Sequence, residues 1–318
     1  MPKRTILITG GAGNIGSALA KKLVEDPDNY IVIIDNLVTG SIVNLPSPIY
    51  PNWKFIKGNV NNYRDISAVM SSFAFDYVFH YAALVGVKRT LNNPLKVLKD
   101  IEGIKNILTL SKNTAVKRVF YSSSSEVYGE PVEFPQNEET TPLNSKLNYA
   151  VVKNLGEVYL KTYKKEFGLD YTIFRFFNTY GPSQTEDFVI PIFIKAAITG
   201  ADIKIYGNGS QVRTFCYVDD NIDATLKILY EDLCVNDIIN IGNDIEYTIE
   251  DLAKIIIAIT GSKSKIKYLP RLEEGDMTRR RPDNSKMKKI VNQNLISLED
   301  GLTRIIKANY LIKAAPAN

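Results

Sequence analysis

The 318 residues of this chain include one histidine and two cysteines. A lone histidine, His80, argues against a Ser-His-Asp triad and against a histidine-rich metal site, so no metal is expected. Cys216 and Cys234 are too few for a disulfide framework and lack metal-ligand spacing. No apolar run approaches the length of a membrane span. The N-terminus, MPKR, enters a strand directly with no signal-peptide layout, so a cytoplasmic protein is expected and no membrane partner. A net charge of +4 is small for this length. It argues against a nucleic-acid partner while suiting a site for anions. Internal repeats and low-complexity stretches are absent, and the last residues, AAPAN, read as an unstructured end. What is present is ordinary: 45% hydrophobic and 23% charged residues, enough for one large α/β domain or one with a smaller companion.

The most informative stretch is TILITGGAGNIG, residues 5–16, followed by IVIIDN at 31–36. An apolar strand runs into a glycine turn, a helix follows, and a second strand ends in an acid. Gly10 permits the tight turn, Gly13 lets backbone approach a pyrophosphate, and Gly16 lets the helix pack on the strand. The pyrophosphate would sit at the helix N-terminus, where free N–H groups and the dipole favour an anion. Asp35 is placed to accept hydrogen bonds from an adenosine ribose and would repel a 2′-phosphate. The expected cofactor is therefore NAD rather than NADP.

Short apolar segments at 5–9, 31–35, 53–57, 76–81, 117–122 and 171–176 read as strands. Between them, 14–25, 64–73, 94–113 and 149–167 read as helices. The third has apolar residues at 97, 98, 101, 104, 107, 108 and 110. Alternating strands and helices predict a Rossmann-type doubly wound parallel sheet with right-handed crossovers. After residue 180 the rhythm loosens. Helices are expected at 188–199, 219–231 and 249–260, strands near 203–206, 238–241 and 266–268, and a polar loop over 270–285. This suggests an NAD-binding domain over 1–180 and a smaller α/β substrate-binding region over 181–318, with segments near 203–241 able to return to the first domain.

A serine-rich strand end, SSSSEVYG at 122–129, precedes Tyr149-x-x-x-Lys153. The i,i+4 spacing sets phenol and ammonium on one helix face. A neighbouring cation favours a phenolate, which can take a proton from a sugar hydroxyl as the carbon loses hydride. Ser124 could hydrogen-bond the same hydroxyl. His80 reads mainly as a packed strand histidine, and Cys216 as a small buried apolar residue.

These residues together resemble the extended short-chain dehydrogenase/reductase family, specifically its nucleotide-sugar epimerase, decarboxylase and dehydratase group. The likeness is carried by Gly10-Gly13-Gly16, Asp35, His80-Tyr-Ala-Ala83, Ser124, Tyr149-x-x-x-Lys153, Arg175-Phe-Phe-Asn-Thr-Tyr-Gly-Pro182, Arg213-Thr-Phe-Cys-Tyr-Val-Asp-Asp220 and Arg279-Arg-Arg-Pro-Asp283. It covers nearly the whole chain. It implies NAD held by Gly10, Gly13, Asn14, Ile15, Gly16, Asp35, Asn36, Asn59, Val60, Tyr81, Ala82, Ala83, Tyr149 and Lys153. It implies catalysis by Tyr149, Lys153, Ser124 and Glu126. Substrate contacts would come from Lys88, Ser124, Asn178, Arg213 and Arg280, with Asn178 and the two arginines near the diphosphate. Two positions depart from the pattern: Gly58-Asn59 replaces Gly-Asp near the adenine, and Asp100 stands where an asparagine is common. The likeness also implies a homodimer paired through helices 94–113 and 149–167.

The resemblance implies a nucleotide-sugar substrate, most often a UDP-sugar, and leaves the reaction open. The dehydratases carry Asp-Glu where this chain has Ser125-Glu126, which disfavours dehydration. Decarboxylases pair Ser with Glu here and hold the substrate carboxylate with a cation, for which Lys88 and Arg89 stand near. The 84–89 loop, LVGVKR, looks more like that of the epimerases, and small residues such as Gly86 would leave room for a keto sugar to turn. The reading from sequence is therefore an NAD-dependent nucleotide-sugar 4-epimerase acting on a UDP-hexose or UDP-hexuronate. UDP-glucuronate decarboxylase is the alternative, a 4,6-dehydratase is a more distant one, and an NAD-sensing binding protein is the non-enzyme reading.

Overall fold

The computed structural model describes residues 3–271 and 279–314. Strands β1 (Arg4–Thr9), β2 (Asn29–Asp35), β3 (Trp53–Lys57), β4 (Tyr77–His80), β5 (Arg118–Ser124) and β6 (Asp170–Phe176) alternate with helices. The helices are α1 (Asn14–Leu23), α2 (Tyr63–Ser72), α3 (Val87–Asn92), α4 (Pro94–Leu98), α5 (Asp100–Asn113) and α6 (Asn148–Phe167). Beyond them lie β7 (Thr179–Tyr180), α7 (Val189–Thr199), β8 (Ile203–Tyr206), β9 (Val212–Thr214), β10 (Cys216–Tyr217) and α8 (Val218–Tyr230). The chain closes with β11 (Asp237–Ile241), β12 (Glu246–Thr248), α9 (Ile249–Thr260), β13 (Ile266–Leu269), α10 (Ser285–Val291) and α11 (Leu298–Ala314).

Seven strands form one parallel sheet in the order β11-β6-β5-β4-β1-β2-β3. Strands covered on both faces need near-continuous apolar runs, and β5 is buried at all seven positions. Phe79 and Phe120 sit opposite each other in register and stack at 4.3 Å between ring centroids, with Phe174 next in line at 6.0 Å. Two apolar layers sandwich the sheet. One includes Leu19, Phe193, Ile222 and Ile256, the other Ile66, Ile107, Val152 and Leu160. The order reverses between β1 and β4, which opens a crevice at the carboxyl ends of those strands. Three small two-stranded ladders, β7–β10, β9–β12 and β8–β13, lie apart from the main sheet.

The single helix expected over 94–113 is two pieces in the structure, preceded by a separate short helix, α3. Pro94 occupies the first turn of α4, Asn93 separates it from α3, and a turn at Lys99 precedes α5. The expected loop over 270–285 falls partly outside the described residues, at 272–278. Its described part pairs Arg279 with Val212 and Pro282 with Gln136, and Ser285 begins α10. Of the expected loose end, Ala314 closes α11 and 315–318 lie outside the described residues. Among the described residues no helix is long and apolar enough to cross a membrane, and no His/Cys/Asp/Glu group could hold a metal.

Candidate active site

The turn after β1 explains its glycines. Gly10 has φ +67°, and a Cβ there would come within 2.7 Å of the Ala82 nitrogen; a Cβ on Gly16 would come within 2.5 Å of the Gly10 carbonyl oxygen. Helix α1 is capped by Gly13 with no side-chain cap and no acid in its first turn. Its leading N–H groups are left for an anion. Asp35 Oδ2 accepts the Ala12 N–H at 3.0 Å and Oδ1 accepts the Leu37 N–H at 2.8 Å. These bonds fix the carboxylate beside the turn while each oxygen keeps a lone pair for a ribose hydroxyl. A glycine cradle, a free helix end and an oriented acid together fit NAD.

Below the turn, Thr9 settles the state of His80. The Thr9 hydroxyl accepts the N–H groups of Tyr81 and Ala82, each at 3.1 Å, so its own proton goes to His80 Nδ1 at 2.9 Å. The imidazole is then neutral and protonated at Nε2. Burial, aided by the Lys153 charge, pushes its pKa down to about 3. The packed reading of this side chain stands. Cys216 is likewise fully buried, and burial pushes its thiol well above the ordinary range.

A cleft of about 1030 Å³ runs along the carboxyl ends of the strands. The residues expected for NAD line it: Gly10, Gly13, Asn14, Ile15, Gly16, Asp35, Asn36, Asn59, Val60, Tyr81, Ala82, Ala83, Tyr149 and Lys153. So do Ser124, Glu126, Asn178 and Arg280. Lys88 and Arg213 do not. Residues 87–92 are helical, and successive helical residues point about 100° apart, so the cleft receives Arg89 while Lys88 is exposed. Arg213 lies on β9, paired with Tyr247 of β12, and the neighbouring Phe215 reaches the lining instead. Gln184 and Thr185 also line the cleft and were not singled out from sequence; the polar run after Gly181-Pro182 was the available signal.

The chemistry-bearing groups converge where β5 meets α6. Ser124, at the end of β5, accepts the Glu126 N–H at 3.2 Å and hydrogen-bonds with Tyr149. Tyr149 lies in the first turn of α6, and Lys153 one turn later sets its Nζ 5.8 Å from the Tyr149 ring centroid. Lys153 donates to the Ser122 carbonyl at 2.6 Å and to the Ser122 hydroxyl at 3.3 Å. Burial lowers Lys153 to about 8. The expectation that a neighbouring cation favours the Tyr149 phenolate is opposed here: burial, then the Glu126 charge, push the phenol well up, with the Ser124 hydrogen bond working the other way. Arg280 Nη2 pairs with Glu126 Oε1 at 2.7 Å, with side chains only 6% and 14% exposed, and Glu126 Oε2 has no protein partner. Beneath the strand ends Glu157 takes two bonds from Arg175, at 3.0 and 2.7 Å, and one from Ser123 at 2.5 Å, which makes that floor rigid.

Comparison with known proteins agrees with this geometry. The model of the NAD dependent epimerase/dehydratase family matches residues 6–242. The UDP-N-acetyl-alpha-D-glucosaminuronate decarboxylase of Bacillus cytotoxicus is 35% identical over 322 residues, covering 96% of this chain and 97% of that protein. A putative UDP-glucose 4-epimerase of Methanocaldococcus jannaschii is 34% identical over 307 residues, covering 95% and 97%. Among solved structures, the UDP-glucose 4-epimerase of Thermotoga maritima with UDP-glucose superposes with a TM-score of 0.90 at 32% identity, covering 97% of this chain and 99% of that one.

Proposed function

The chain belongs to the NAD-dependent epimerase/dehydratase family, and on that premise we propose that it oxidises a nucleotide-linked hexuronate, a UDP-hexuronate by likeness, at C4 and releases its carboxyl group as carbon dioxide. The observation that carries this reading is the buried Glu126–Arg280 pair beside Tyr149. Burying an ion pair costs free energy, and C4 epimerisation of a neutral hexose offers no carboxylate for the cation to hold and no C5 carbanion to protonate. Decarboxylation uses both: a cation to receive the sugar carboxylate, and an acid to return a proton to C5.

Ser124 and Tyr149 hold the C4 hydroxyl, and the Tyr149 oxygen takes its proton. The Lys153 ammonium stabilises the phenolate that accepts this proton. Bound NAD supplies the acceptor for the C4 hydride and later its return. Oxidation at C4 makes the hexuronate a β-keto acid. The C5–C6 bond breaks, its electron pair enters the C4–C5 enolate, and carbon dioxide leaves. With Arg280 taken over by the sugar carboxylate, Glu126 picks up a proton from solvent and delivers it to C5, and Tyr149 returns its proton to the C4 oxygen as the ketone is reduced. Arg280 thus serves the sugar carboxylate in this reading rather than the diphosphate expected from sequence.

Epimerisation remains the second reading, supported by the likeness to the Methanocaldococcus and Thermotoga proteins. From sequence, Gly86 offers room for the keto sugar to turn. In the structure a Cβ on Gly86 would come within 2.9 Å of Asp187 Cβ, so the missing side chain is the place where Asp187 packs. Arg280→Gln tests the carboxylate assignment. Binding of UDP-glucuronate is expected to weaken at least tenfold, roughly the loss of one charge-assisted contact, with UDP-glucose binding changed less than threefold. Equal losses for both sugars would place Arg280 on the diphosphate.

A further inference from the structure

Asp100, the residue that departs from the family's common asparagine, opens α5 and ties three elements together. Its Oδ2 accepts the Leu84 N–H at 2.7 Å, at the start of the segment that runs from β4 along the cleft wall. Its Oδ1 accepts the side-chain N–H of Asn61 at 3.0 Å, from the loop after β3. A second cavity, about 10 Å³, lies behind the catalytic pair, with Asp100, Lys153, His80, Tyr121 and Tyr149 among its walls. That volume is close to the space one water needs, and the walls are polar enough to hold one. Among the described residues, Asp100 is the one carboxylate in that lining.

We propose that Asp100 is a positioning residue with two separable roles: its charge balances the Lys153 ammonium across the water-sized cavity, and its oxygens pin the start of the sugar-side segment at Leu84. Resting on the assignment of Tyr149 and Lys153 as the proton-transfer pair, this extends it to the group that sets their charge state. The groups facing Lys153 come from four elements. His80 on β4 is neutral, Tyr121 on β5 has its phenol pushed up by burial, Tyr149 shares α6 with Lys153, and Asp100 comes from α5. Asp100 opposes the fall that burial imposes on Lys153, and it raises Tyr149. Burial raises the Asp100 carboxyl above its ordinary value, and the Leu84 and Asn61 hydrogen bonds and the Lys153 charge offset part of that rise.

Asp100→Asn separates the roles, because an asparagine oxygen can still accept from Leu84 while the charge is gone. The pH profile of kcat/KM is expected to move to lower pH by about one unit, both limbs together, with KM at the optimum within threefold. Asp100→Glu, which keeps the charge, is expected to leave the profile in place. Asp100→Ala loses both roles, so it moves the profile and raises KM about tenfold. A thermal melt on each variant accompanies the kinetics. An Asp100→Asn enzyme whose activity drops by one factor at every pH, or an Asp100→Glu enzyme whose profile moves as the asparagine variant's does, overturns the proposal. Tyr149→Phe is the control: if it retains activity, the underlying site assignment fails, whereas an inactive Tyr149→Phe beside an unmoved Asp100→Asn profile removes only the role given to Asp100.

Discussion

At the scale of single residues, burial sets the charge states. His80 is the only histidine of the chain and is held neutral by Thr9 and by desolvation. Its folded pKa, about 3, lies below the ordinary 6.5, so the unfolded chain binds a proton that the fold refuses. Stability from this group is fully present above pH 6.5 and is lost as pH falls toward 3, at about 1.4 kcal/mol per pH unit. Asp220 acts in the opposite sense, since burial raises its carboxyl to about 6. The difference between wild type and His80→Asn isolates the histidine. We expect the unfolding free energies of the cofactor-free proteins to differ by a roughly constant amount above pH 6.5 and to converge or cross below it; parallel curves down to pH 4.5 would show that His80 is not the neutral group described. Much at this scale was readable in the sequence. The glycine turn, Asp35, Ser124 and Tyr149-x-x-x-Lys153 are local patterns whose spacing fixes their geometry. The Glu126–Arg280 pair spans 154 positions, 280 minus 126, and no local spacing signals it. Nor does the sequence show that Tyr149 is buried enough to oppose the phenolate.

At the scale of elements, the wall from β4 to α5 carries the differences. Apolar periodicity reads 94–113 as one helix, yet Pro94 and the turn at Lys99 divide it, and a further helix, α3, begins at Val87. That helical phase delivers Arg89 to the cleft, where it pairs with Asp187 at 2.5 Å, and leaves Lys88 exposed. A reading of 84–89 as loop carries no phase and cannot choose between the two cations. Gly86 is the hinge of this wall, with φ +99° and Asp187 against the space of its absent Cβ. Gly86→Ala is expected to cost about 1–3 kcal/mol of stability and to raise KM for the nucleotide sugar several-fold by displacing the Arg89–Asp187 pair. Calorimetric unfolding and steady-state kinetics check both; an unchanged Tm with an unchanged KM would mean the wall tolerates the extra carbon and Gly86 has no packing role.

At the scale of the whole molecule, alternating apolar strands and helices made the doubly wound sheet legible, because parallel pairing demands strands buried on both faces. The return of β11 to pair with β6 was open from sequence, where it read as one short strand among several. The sheet places its order reversal beneath the glycine turn and the Tyr149–Lys153 pair beside it, so one cleft joins the NAD cradle to the Glu126–Arg280 pair. That continuity is what the proposal of oxidation and decarboxylation at one site rests on. The direct test incubates the enzyme with UDP-glucuronate, UDP-glucose and UDP-N-acetylglucosamine separately and follows the products by proton NMR. The expected product is a UDP-pentose from UDP-glucuronate, with UDP-glucose and UDP-N-acetylglucosamine unchanged; a six-carbon sugar inverted at C4, with its carboxylate retained where one was present, would contradict this.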